Sequence, residues 1–122
     1  MKTIIYTLIL ATLTSCVQTE QVKTTLYQSG IVSHYSTRTN STTTASGIPL
    51  NDSLRTAAHK TLPFNTTVKV SRADNPDLQT TVVITDRGPY IAGRVLDVSQ
   101  AAARDLQIVG RGLAKCNIEI VE

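Results

Sequence analysis

In the stretch VVITDRGPY, residues 82–90, three β-branched residues lead into Asp86-Arg87, and Gly88-Pro89 then stops any regular element. Period-2 alternation puts Val82, Ile84 and Asp86 on one face of the strand, so a carboxylic acid closes a row that otherwise points at a core. A carboxyl group at the end of an apolar face is partly desolvated, which raises its pKa toward the range a proton donor needs. The structural alternative is an Asp whose carboxylate receives backbone N–H groups in the tight turn at Gly88-Pro89. His59, in TAAHKTLPF, has the one side chain type that ordinarily titrates near neutrality; its bland reading is a partly buried imidazole bonded to a nearby carbonyl. Arg87 and Asp97 are expected to pair and brace the loop, which makes Asp97 a structural support. Tyr35 and Tyr90 offer aromatic faces for stacking, with ordinary packing as the competing use.

These residues need a scaffold. The chain has 122 residues, 41% of them hydrophobic, with no Trp and one Phe, so one core must be built from Val, Ile, Leu and Ala. A net charge of +3 comes from scattered Lys and Arg, and aromatics are sparse, which argues against nucleic acid as a partner. Strands are predicted over residues 30–36, 66–72, 79–86, 94–99 and 112–121, with a short strand or turn at 54–64 and a turn at 73–77. Residues 37–52, dense in Thr, Ser, Asn and Gly, read as a long loop of the kind that tends to be functional. The helix is QAAARDLQIV, residues 100–109, capped by Ser99 and ended by Gly110. Five or six short strands with one small helix point to a closed barrel, because closure removes exposed strand edges.

The first sixteen residues, MKTIIYTLILATLTSC, carry one Lys and an apolar run over 4–13, about half of the roughly 20 residues that span a bilayer. Residues 1–15 therefore read as a signal peptide, and Leu13-Thr14-Ser15-Cys16 is similar to a bacterial lipobox, with Cys16 as the lipidated residue and membrane anchor. Residues 17–28 are polar and aperiodic, a tether, and the domain is expected to run over 29–122. Cys116 falls on the same face as Ala114, Ile118 and Ile120, so it is expected inside the core. A Cys16–Cys116 disulfide would require cleavage ahead of Cys16. No metal site is implied.

Three segments stand out together: TASG (44–47), TAAHKTLPFNTTVKV (56–70) and TDRGPYIAGRVLDVSQAAA (85–103). In order and spacing they resemble the rare lipoprotein A (RlpA) family. The resemblance covers residues 29–122 and implies a mainly β fold, a six-stranded double-psi β-barrel with one short α-helix. It further implies an endolytic lytic transglycosylase that cleaves the β-1,4 bond between N-acetylmuramic acid and N-acetylglucosamine in peptidoglycan. The muramic 6-hydroxyl is then the nucleophile, a 1,6-anhydro sugar the product, and no cofactor is needed. One carboxylic acid can protonate the leaving oxygen and afterwards take the proton from the 6-hydroxyl.

On that resemblance Asp86 is the candidate acid and His59 its catalytic companion, orienting it or bonding the sugar. Ser46, Tyr35, Arg87 and Tyr90 are the expected substrate contacts, with Asp97 in support. The chain departs from the family at Ile48, where active members usually carry Glu directly after the TASG glycine. Asp52, four residues on, is the candidate to stand in for it in part. The alternative function is therefore a weak or inactive glycan-binding or division-site lipoprotein. The SPOR module of many relatives is expected to be missing. A third class, secreted glycoproteins of the barwin and expansin type, draws on Asn-x-Ser/Thr matches at Asn40, Asn51 and Asn65. The lipobox favours the bacterial reading, and Val17 after Cys16 favours the outer membrane.

Overall fold

The computed structural model describes residues 22–37 and 43–122. The expected signal peptide, Cys16 and the first part of the tether lie outside the described residues, as do Asn40 and part of the long loop.

Six strands form the barrel: β1 (Thr24–His34), β2 (Thr56–Ala58), β3 (Thr67–Arg72), β4 (Gln79–Asp86), β5 (Arg94–Val98) and β6 (Leu113–Val121). They close in the order β1-β5-β2-β4-β3-β6, with β6 returning to β1. Two pairs, β1–β5 and β2–β4, are parallel, and the remaining four are antiparallel. The alternation that marked each strand is the alternation of inside and outside. Val68 and Val70 of β3, Val82 and Ile84 of β4, and Cys116 and Ile118 of β6 are all fully buried. Each such aliphatic side chain contributes about 1.5–3 kcal/mol by leaving water. Where β1 crosses β5 the backbones come close: a Cβ on Gly30 would stand 2.5 Å from Val95 Cγ1, so only glycine fits.

The helix α1 (Gln100–Asp105) is shorter than expected. Ser99 caps it, its hydroxyl accepting from Ala102 N, while Ala102, Ala103, Leu106 and Ile108 join the core. It stops at Leu106 and not at Gly110 because Gln107 adopts φ 55°. The amides of Gln107 and Ile108 then return to the carbonyls of Arg104 and Ala103, which is a Schellman closure with an apolar residue after it. The stretch expected as tether also needs correction: β1 begins at Thr24, so residues 24–28 are strand and pair with β6 as far as Val121. Among the described residues no helix is long and apolar enough to cross a membrane.

A candidate active-site cleft

The site is made at the end of β4, where regular pairing fails. Along β2, Ala57 lies opposite Ile84, but the next residue, Ala58, lies opposite Asp86. Thr85 is the extra residue of a bulge; its side chain is buried, and its hydroxyl has no partner among the described residues. Alternation along β4 therefore ends at Ile84. The bulge re-aims Asp86 to the barrel end, where it is half-buried.

Asp86 Oδ1 accepts the amides of Ala45 (2.8 Å) and Arg87 (2.9 Å). With Ser46 N donating to the Thr85 carbonyl at 3.2 Å, this fastens the TASG loop across the end of β4. The structural use of Asp86 weighed from the sequence is thus present, with one amide coming from a loop 41 residues away. Oδ2 takes no hydrogen bond among the described residues. Beyond it is a cleft of about 220 Å³, lined by Thr43 and Leu50 from one loop, Arg87 to Tyr90 from another, and Tyr35, Ala58, Asp86 and Asp97. The second of these loops turns at Gly88, whose φ of +118° is one that L side chains rarely adopt.

Asp97 belongs to the same site. Ala58 pairs with Asp86 on one side and with Asp97 on the other, which places the two carboxylates two strand spacings apart, roughly 10 Å at the backbone. Burial raises the pKa of Asp97; the Ser33 hydroxyl, donating at 3.2 Å, and the charges of His34 and Arg94 oppose the rise, and the Asp86 carboxylate adds to it. The sequence places the desolvated carboxyl at Asp86; in the structure the carboxyl raised by burial is Asp97, expected only as a support. Neither Asp86 nor Asp97 is in a salt bridge among the described residues. Tyr35 is 5% exposed, its hydroxyl bonded to Thr56 Oγ1 at 2.7 Å. Burial, with Asp97, Asp86 and Asp52 nearby, pushes its phenol up to about 12. It lines the cleft but is too buried to offer an open stacking face. Tyr90, 77% exposed, is the available aromatic platform.

The expected Arg87–Asp97 pair does not form. Arg87 Nη1 donates to the carbonyls of Leu62 (2.8 Å) and His59 (3.3 Å), and the guanidinium lies 4.1 Å over the Phe64 ring. Arg87 braces the 59–62 turn through Nη1, and it forms no salt bridge with either carboxylate among the described residues. Ser46 shares its hydroxyl with Thr44 at 3.0 Å and shapes the loop. His59 is buried behind the cleft wall, its ring bonded to Gln28 and to two backbone amides. Asp52 does not replace the missing Glu, because its carboxylate takes the amide (3.0 Å) and hydroxyl (2.8 Å) of Thr37. Ile48 is exposed on the TASG loop, its carbonyl receiving the Thr44 hydroxyl. Gln28 was missed because its segment was read as tether; the β-formers Thr24, Thr25 and Tyr27 were the available signal. No group of three His, Cys, Asp or Glu side chains among the described residues is placed to hold a metal ion.

Comparison with known proteins identifies the family. Residues 19–118 match the family described as lytic transglycolase. The chain belongs to that family. It is 40% identical over 105 residues to the endolytic peptidoglycan transglycosylase RlpA of Pasteurella multocida, covering 86% of this chain and 35% of the relative. It is 44% identical over 92 residues to RlpA of Helicobacter pylori, covering 75% and 29%. The resemblance seen in TASG, TAAHKTLPF and DRGP therefore stands, and the chain spans about a third of the length of these relatives. Two solved structures share the double-psi barrel of the lytic transglycolase family. A Streptomyces papain inhibitor superposes with TM-score 0.61 at 22% identity, covering 82% of this chain and all of the other. An expansin of Clavibacter michiganensis gives 0.59 at 20%, covering 77% and 50%.

Proposed function

We propose that the cleft is the active site of an endolytic peptidoglycan lytic transglycosylase acting on glycan strands without stem peptides. The supporting observation is the state of Asp86. One carboxylate oxygen is held by two amides, which fixes the group, while the other takes no hydrogen bond among the described residues, and Asp97 lines the same cleft without an ion-pair partner among them. Asp86 protonates the glycosidic oxygen as the bond from muramic C1 breaks, and its carboxylate then takes the proton of the muramic 6-hydroxyl as that oxygen bonds to C1. The proton inventory closes without water, leaving a 1,6-anhydro end and a new N-acetylglucosamine 4-hydroxyl. Tyr90 supplies a stacking face for a sugar ring. Asp97, whose proton burial helps to retain, is the second carboxyl able to act as donor. Membrane attachment through Cys16, after removal of residues 1–15, would hold the domain in the cell envelope, at the outer membrane of a diderm.

A second reading rests on Ile48. Isoleucine can neither exchange a proton nor carry charge, so a cleft that needed a carboxylate at that loop position would bind glycan without cleaving it. Single substitutions separate these readings. In an enzyme that uses Asp86, Asp86→Asn keeps glycan binding and loses turnover, and Asp97→Asn loses it only if Asp97 is the donor. A wild-type chain that binds strands and releases nothing is a binder.

A further inference from the structure

The ring of His59 has both nitrogens committed. Nδ1 lies 3.1 Å from the amide of Thr61 and 3.0 Å from that of Leu62, and an amide N–H can only donate. Nδ1 is therefore an unprotonated acceptor, and a neutral ring must carry its hydrogen on Nε2. That nitrogen is 3.0 Å from Gln28 Oε1, the acceptor end of the amide. Turning the Gln28 amide over would leave an imidazole with two accepting nitrogens and no proton, so this arrangement admits one tautomer. The ring is 3% exposed, with Tyr27 of β1 against it at 5.8 Å between centroids.

We propose that Gln28 and His59 form a positioning pair: the imidazole stays neutral as the Nε2–H tautomer, exchanges no proton with the glycan, and sets the 59–62 turn that holds Asp86 at the cleft. The inference rests on the proposed activity for its kinetic part only. The turn organised by Nδ1 points the carbonyls of His59 and Leu62 at Arg87, and His59 N donates to the Asp86 carbonyl at 3.1 Å. The Asp86 carbonyl and the Arg87 side chain are thereby both tied to residue 59. Protonating the ring would put a hydrogen on Nδ1 against two N–H donors. Burial and then the positive charges of Arg87 and Lys60 oppose it as well, and all lower the pKa of His59. Tyr27 is the other titratable side chain packed against the ring among the described residues.

The test uses the full chain carrying 15N-labelled histidine, with His34→Gln to assign the only other histidine. The expected spectrum has Nε2 protonated, Nδ1 bare, and no change in the His59 shifts between pH 5 and 8. An Nδ1–H tautomer, or titration inside that window, overturns the proposal. Substitution supplies the second arm. The Asn side chain can accept the amide two residues on as His59 Nδ1 does, yet has no proton to exchange. His59→Asn is expected to keep turnover within about tenfold, whereas His59→Ala loses on the order of a hundredfold through misplacement of Asp86. Amide exchange at Ala45 and Arg87, the two donors to Asp86, should accelerate in His59→Ala and stay close to wild type in His59→Asn. Equal loss of turnover in both variants, with both amides still protected, would make His59 a proton carrier and refute the pair. A wild type without turnover would remove the enzymatic reading and leave this inference to be decided by the nitrogen shifts and the exchange.

Discussion

The two ends of β4 treat carboxylates in opposite ways. At its start, Asp105 accepts from Arg55 and, at 2.7 Å, from the Thr80 hydroxyl, and its pKa is lowered by those bonds. Nearby, the Arg72 guanidinium grips Asp74 at 2.6 and 2.9 Å with Arg111 at 3.2 Å, which holds that carboxyl at about 2. At the far end of the strand, Asp86 and Asp97 have no ion-pair partner among the described residues, and burial raises the pKa of Asp97. The cation close at hand, Arg87, is spent on carbonyls and a phenyl ring. A barrel end that only needs to be stable pairs its acids. An end that keeps them unpaired retains groups able to hold and release a proton.

The sharpest way to break this contrast is Asp86→Asn. General acid–base catalysis contributes about a hundred- to ten-thousand-fold, so turnover should fall by at least about a hundredfold while strand binding survives. Unfolding of the variant instead would assign Asp86 wholly to its bonds with Ala45 and Arg87. At the other end, Arg72→Gln should do the reverse: it loosens the Asp74 pair and the bond to the Leu106 carbonyl, so the urea midpoint falls and turnover of the folded protein is kept.

The pH dependences should also oppose each other. Asp74 has a depressed pKa, so its modest, partly solvent-screened contribution is present above the unfolded value near 3.8 and is lost as pH falls toward about 2. Asp97 has a raised pKa, so its contribution is present in acid and is lost as pH rises through the folded value. Asp97→Asn should then raise the thermal midpoint at pH 7 by an amount that shrinks toward pH 4. Ile48→Glu adds a carboxylate beside the cleft and should increase turnover if that charge limits the wild type; an unchanged rate would show that it does not. The smallest effect is at Cys116, fully buried with its thiol pushed up to about 11. A thiol reagent should modify it slowly in the folded chain and fast in denaturant.

Much of the barrel was legible because its strands are half-buried surfaces with period-2 sequences: β4 falls on residues 79–86 as expected, and Cys116 is inside. The corrections share one cause, contacts distant in sequence. Residues 24–28 have no apolar alternation, yet pairing with β6 makes them strand and brings Gln28 to His59. Nothing local in VVITDRGP announces that Thr85 is the bulged residue or that Arg87 will face Leu62. Gln107 ends the helix because Ile108 must enter the core, which overrides the later glycine. Tyr35, Asp86, Arg87, Tyr90 and Asp97, singled out by type, line the cleft, but that Asp97 is desolvated, Asp86 clamped and His59 enclosed comes from packing that no short motif encodes.

On the proposed function, the cleft breaks the glycosidic bond by internal attack, with its carboxyls moving the proton. Purified peptide-free glycan strands digested by the full chain in H₂¹⁸O, followed by mass analysis, test it directly. Internal attack gives 1,6-anhydro ends without ¹⁸O, absent with Asp86→Asn. Reducing ends carrying ¹⁸O, or strands bound and left intact by the wild type, would contradict it.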